Sequence, residues 1–193
     1  MTVIWLHWKA LWADDDADKV MTAGKQKTFS IDTPSGLLAK LHWEVSRLDV
    51  TPGHAIQVIA YRALNCATTA WHMCDWLFES GRTDDALKLR MVELFGGQSF
   101  TLKHVQDWAS KDRAIAICRQ LATASKHFEI RDRPDAGVKA EIEERITRNE
   151  DGSANMWVRV VIRDGSEEFA PHEVFWRAYA FWDQRLQELG LGH

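Results

Sequence analysis

Cysteine is scarce in this chain: three among 193 residues, Cys66, Cys74 and Cys118, with no CxxC pair. An odd count excludes a fully paired disulfide framework, and Cys66 and Cys74 sit a little over two turns apart on one expected helix, too far to bridge. The expectation is buried, reduced thiols in a cytoplasmic protein. Long apolar runs are missing as well; none approaches the ~20 residues that cross a bilayer as a helix. Excess positive charge is also absent. Lys and Arg total 24 against 28 Asp and Glu, a net charge of −4, which excludes a protein whose main task is coating nucleic acid. Internal repeats and low-complexity tracts are lacking too. With 46% hydrophobic and 27% charged residues, the composition is that of a globular domain large enough to bury a core.

What is present begins with an amphipathic stretch over 3–12, where Ile4, Trp5, Trp8, Leu11 and Trp12 share one helical face before the acidic run 14–16. It has neither the basic start nor the small-residue cleavage site of a signal peptide. Its polar face is also less basic than that of a surface-seeking helix. Residues 1–29 therefore read as an amphipathic extension and acidic linker, with docking on the body favoured. Residues 30–193 read as one helical-bundle domain.

Thr33-Pro34-Ser35 supplies a capping residue followed by proline at the first helical position, and Leu37, Leu38, Leu41, Val45 and Leu48 follow at helical spacing. The pattern predicts further helices over about 54–80 and 83–95. It then predicts one interrupted helix, or two in succession, over 99–110 and 111–128. Beyond Pro134 the period changes. Val138, Ala140 and Ile142 alternate with charged residues, and Met156, Val158, Val160 and Ile162 do the same after a turn-forming segment at 149–153. This predicts an antiparallel hairpin or three-stranded meander near 137–169. A last helix from Pro171 carries an apolar stripe closed by Gly190. The fold class is mainly α: about five to six helices with a small antiparallel sheet inserted before the C-terminal helix. Ten tryptophans are present; Trp43, Trp71, Trp76, Trp108, Trp176 and Trp182 fall at positions that suit bundle packing and are assigned no chemistry.

Two helices carry polar stripes across otherwise apolar surfaces. Arg62, Asn65, Thr69, His72, Asp75 and Glu79 follow steps of three and four and so share a face, which predicts a buried channel or cleft beside them. Arg119/Gln120, Thr123 and Lys126/His127 make a similar stripe, with Ala122, Ala124 and Ser125 small enough to admit a neighbouring helix. If the two helices are neighbours, His72, Asp75 and His127 could meet. Three readings of that meeting stay open. One is a satisfied hydrogen-bond network in which Asp75 orients a histidine. The second is a catalytic or RNA-contacting site, with histidine as general acid or base and Arg62, Arg119 or Lys126 stabilising phosphate charge. The third is a metal site on His72, Asp75 and His127, completed by Glu44 or Glu79; the Glu-x-x-His pairs of di-metal bundles are absent. His7, His42, His54, His104, His172 and His193 show no partner spacing.

The segments Ala63-Leu64-Asn65, Ala70-Trp71-His72 and Asp75-Trp76, with the later CRQLATASKHF, resemble uncharacterised bacterial helical-bundle proteins, which in turn resemble HEPN-type domains. The resemblance covers roughly 34–133. It implies an RNA-acting toxin or phage-defence component, metal-independent and without a cofactor. In active members an arginine and a nearby histidine build an RNA-cleaving centre at a dimer interface. Here His127, Arg119, His72 and Asp75 would form the polar centre, with Arg62, Asn65 and Lys126 as binding residues. Nine residues separate Arg62 from His72 and seven separate Arg119 from His127, longer than the family's spacing; the second pair is the nearer match. The implied partners are a second copy, RNA or a cognate protein. Over 111–133 six cations face three carboxylates, a local basic surface in an acidic chain; an ordinary solvated helix end has the same composition. Beside the ribonuclease reading stand a non-enzymatic interaction or oligomerisation module with tryptophan-rich surfaces and, third, a metal-binding bundle.

Overall fold

The computed structural model describes residues 30–48, 55–97, 99–126, 134–149 and 151–192. The chain divides into Met1–Asp32 and Thr33–His193, and the description below concerns the second unit. The expected N-terminal amphipathic extension and His127 both lie outside the described residues.

The described residues form six helices and a three-stranded sheet: α1 (Pro34–Val45), α2 (Ile56–Thr83), α3 (Asp85–Leu94), α4 (Leu102–Ala109), α5 (Arg113–Lys126), β1 (Val138–Arg148), β2 (Ala154–Asp164), β3 (Glu167–Phe169) and α6 (Pro171–Glu188). The caps are local and specific. The Thr33 hydroxyl accepts from the Gly36 N–H at 3.1 Å, Asp84 caps α3 through the Leu87 N–H at 2.9 Å, and Thr101 caps α4. Each satisfies one of the backbone donors that a helix start leaves open. The segment expected as one or two helices over 99–128 is two. Ser110 to Asp112 breaks it, and Asp112 restarts the helix by accepting from the Ile115 N–H at 3.2 Å.

Helix α2 is the central element. It packs against α1, α3, α4, α5, α6 and β2, and it buries Ile59, Ala63, Cys66, Ala67, Ala70, Met73, Cys74 and Leu77. Small residues at 63, 67 and 70 let neighbouring helices approach closely. Gly81 lies inside α2 although glycine weakens helices. A Cβ there would stand 2.5 Å from Phe100 Cζ and 3.1 Å from Met91 Sδ, so close packing explains the residue. Across α2 lies α6, whose fully buried Trp182 donates its indole N–H to the Ala70 carbonyl at 2.8 Å. Trp182 also heads an aromatic cluster with Trp108, Phe181 and Phe95.

The sheet order is β1-β2-β3, all antiparallel, with Ile142 opposite Val160 and Ile146 opposite Met156. One face is apolar and the other carries an ion-paired ladder: Arg159 and Arg163 reach Glu143 and Glu168, and Arg163 also reaches Glu141. Val161 and Ile162, at the base of the hairpin, are buried. Its outer half projects, leaving Ile146 68% and Met156 66% exposed. The base is tied to α5 by Arg113, which pairs with Asp164 through two nitrogens and with Asp135 at 2.9 Å.

Two expectations need correcting. Trp43 does not pack in the bundle; it is 56% exposed on α1, with the Arg47 guanidinium 4.0 Å over its ring. Leu41 and Val45 hold the inward face, and residue 43 lies on the opposite side of the turn from both. Trp176 is likewise partly exposed, against His42 and Tyr179. The three cysteines are buried and unpaired with one another by disulfides. Among the described residues no helix is long and apolar enough to cross a membrane.

Candidate functional site

The two polar-striped helices are neighbours: α2 packs along α5. Between them the Lys126 ammonium lies 3.1 Å from His72 Nε2. Both nitrogens cannot be donors in this contact, so the geometry requires Nε2 to carry the lone pair and Nδ1 the proton. Asp75, one turn along α2, is close enough for its charge to act on His72 and to feel Lys126. All three residues are thus brought into one half-exposed cluster.

The electrostatics of the cluster follow from partial burial. The His72 ring is held below the ordinary histidine value chiefly by desolvation, then by the Lys126 and Lys40 charges, with Asp75 opposing. The Asp75 carboxyl is pushed up by desolvation and by Glu79, against His72 and Lys126. Burial therefore disfavours the charged form of both side chains. A histidine kept neutral beside a cation is a proton acceptor with a positive charge in reach. That is the chemistry needed to take a proton from a hydroxyl next to a bound anion.

The rest of the α2 stripe does other things. Thr69 is only 4% exposed, and its hydroxyl accepts from Lys40 at 2.6 Å; Lys40 also pairs with Glu44 at 2.5 Å. The second Glu44 oxygen is buried without a hydrogen-bond partner. Together with burial, Glu44 pushes the nearby Cys66 thiol up to about 12, which makes it inert as a nucleophile. Arg62 donates to the Arg47 carbonyl at 2.8 Å and so ties α2 to the end of α1. Asn65 and Glu79 are exposed, and Glu79 pairs with Arg82 at 2.8 Å. The stripe is therefore withdrawn from solvent only over its middle, from the buried Thr69 to the half-buried His72 and Asp75, while Asn65 and Glu79 reach the surface.

On α5 the stripe splits. Gln120 is buried, facing an apolar groove of about 390 Å³ between α2, α5 and the apolar face of the sheet. Arg119 and Thr123 instead line a polar cavity of about 380 Å³ with Trp71, Lys103, Gln106, Asp107 and Ser110. Lys40, Trp71, Lys103, Gln106, Asp107 and Ser110 are the residues sequence reasoning missed. Lys40 carried one signal, its i,i+4 spacing to Glu44; the part played by Trp71 and Ser110 depends on how three helices meet. Among the described residues no group of three His, Cys, Asp or Glu side chains is placed to hold a metal ion. His127, the third residue of the sequence-based metal and catalytic sets, lies outside them. Compared with family models, curated proteins and solved structures, the chain matches none.

Proposed function

We propose that the His72–Asp75–Lys126 cluster between α2 and α5 is a phosphodiester-contacting site and that the protein is an RNA-acting, HEPN-like factor of bacterial defence or toxin type. The observation that carries this reading is the 3.1 Å contact between Lys126 and a neutral His72 contributed by two different helices. An arriving phosphate oxygen would draw the Lys126 ammonium away from the imidazole. That exchange leaves His72 Nε2 free to take the proton of a ribose 2′-hydroxyl while Lys126 holds the anion. Asp75 opposes the positive field of the lysines at the ring. Arg119 lies about two turns back along α5 from Lys126, in the neighbouring polar cavity, and a second copy would bring in its own set.

The test is cleavage of a mixed-sequence RNA without added metal. His72→Gln and Lys126→Met should each lower the rate by at least about a hundredfold, the range removed with a general base, while the melting temperature stays within a few degrees. Cleavage unchanged in both variants, or no cleavage by the wild-type chain, overturns the reading. A second reading, a non-enzymatic interaction module, rests on the exposed apolar residues Ile142, Ile146 and Met156 of the hairpin. It predicts that Ile146→Lys with Met156→Lys abolishes self-association measured by light scattering and leaves any RNA cleavage intact.

A further inference from the structure

The polar cavity between α2, α4 and α5 is walled by an aromatic ring and carries both a carboxylate and cations. Trp71 comes from α2, Lys103, Gln106 and Asp107 from α4, Ser110 from the break after α4, and Arg119 and Thr123 from α5. Its volume of about 380 Å³ falls within the range of small-molecule sites. The Ser110 hydroxyl that lines it is buried with no hydrogen-bond partner among the described residues. A buried hydroxyl of this kind is costly unless something polar enters the cavity to meet it.

The cavity lies one helix turn along α5 from the His72–Lys126 contact. Arg119, Thr123 and Lys126 follow steps of four and three on α5 and so align, while Trp71 and His72 are adjacent on α2. A nucleotide whose phosphate lies at Lys126 would thus have its base within reach of the Trp71 side. Single-stranded RNA is read by stacking an unpaired base on an aromatic ring and bonding its edge. The donor and acceptor set also selects among bases. A carboxylate accepts best from an edge with two neighbouring donors, which guanine has through N1–H and its amino group. An arginine matches the guanine O6 and N7 acceptors.

We infer that this cavity is the base subsite of the same RNA site and takes guanine, stacked on Trp71 and held by Asp107 and Arg119. The inference rests on the RNA-contacting reading of the His72–Asp75–Lys126 cluster. Its test is binding of the four nucleoside 5′-monophosphates by calorimetry to the full chain. To keep the phosphate site out of the comparison, the Lys126→Met variant is measured alongside.

Guanosine monophosphate should bind at least about tenfold more tightly than the other three in both proteins. Asp107→Asn and Trp71→Leu should each remove most of that preference. Asp107→Asn keeps the side chain's shape and weakens a partly exposed pair with Lys103, so its melting temperature should stay within a few degrees of wild type, and it keeps the test valid if Trp71→Leu fails to fold. Equal binding of all four, no binding at millimolar concentration, or an unchanged preference in Asp107→Asn overturns the inference. If RNA is cleaved but no base preference exists, only the subsite falls. If guanosine monophosphate binds selectively but no RNA is cut, the cleavage reading falls and the cavity keeps its ligand.

Discussion

At the scale of single residues, His72 can be followed directly, because its ring should report on both of its neighbours. Desolvation and Lys126 hold its pKa below 6.5, with Asp75 pulling the other way. NMR titration should therefore find the His72 pKa raised in Lys126→Met and lowered further in Asp75→Asn. No change in either variant would mean that the charges do not reach the ring. The linkage has a definite sign. An unfolded chain binds a proton at His72 more readily than the folded one. The His72 contribution is therefore fully present above about 6.5, the ordinary value, and is lost as pH falls from there toward the lowered folded value. Asp75 acts oppositely: its raised folded pKa favours the folded state at acid pH, and that contribution is lost as pH rises through the raised value. His72→Gln should flatten the fall in melting temperature between neutral and mildly acid pH. Trp182 gives a purely structural contrast. Trp182→Phe removes the 2.8 Å bond to the Ala70 carbonyl and part of a fully buried ring. It should cost about 2 kcal/mol in denaturant unfolding while leaving the His72 titration in place.

Among the elements, the hairpin depends most on others. Two strands alone are marginal in water, and the outer turns of β1 and β2 have only each other. The base is anchored by buried Val161 and Ile162 and by the Arg113 clamp, whose partners Asp135 and Asp164 are held below the usual carboxylate range by the guanidinium. Half of the Arg113 side chain is in solvent, so Arg113→Gln should lower global stability by only about 1 kcal/mol or less. Hydrogen exchange should nevertheless quicken at the base of β1 and β2, and no change there would remove the clamp from the account. The helices and the hairpin were legible because the Thr33-Pro34 start and the apolar periods are local signals, whereas the strand register and the Asp84 cap came only with the structure. The orientation of Trp43 was not, since an aromatic residue type does not say which face of a helix is buried. The pairing of His72 with Lys126 was only partly legible. The stripes left open whether the two helices are neighbours, and the crossing that seats Lys126, and that turns Arg119 toward Trp71 and Ser110, is set by side chains packed between α2, α4 and α5.

For the whole molecule, the decisive feature is that α2 is shared. Helices α1, α3, α4, α5 and α6 all lean on it, and the hydrogen bond from Trp182 to Ala70 joins residues 112 positions apart. Local helix formation is fast, but contacts of that separation are closed late and carry the entropy of the intervening loop. On the ribosome, α1 and α2 are made first, and α2 keeps the flank around Ala70 open until Trp182 has been translated. A nascent chain arrested within the hairpin should therefore be protease-sensitive and held by chaperones. It should gain resistance abruptly, rather than helix by helix, once α6 clears the exit tunnel.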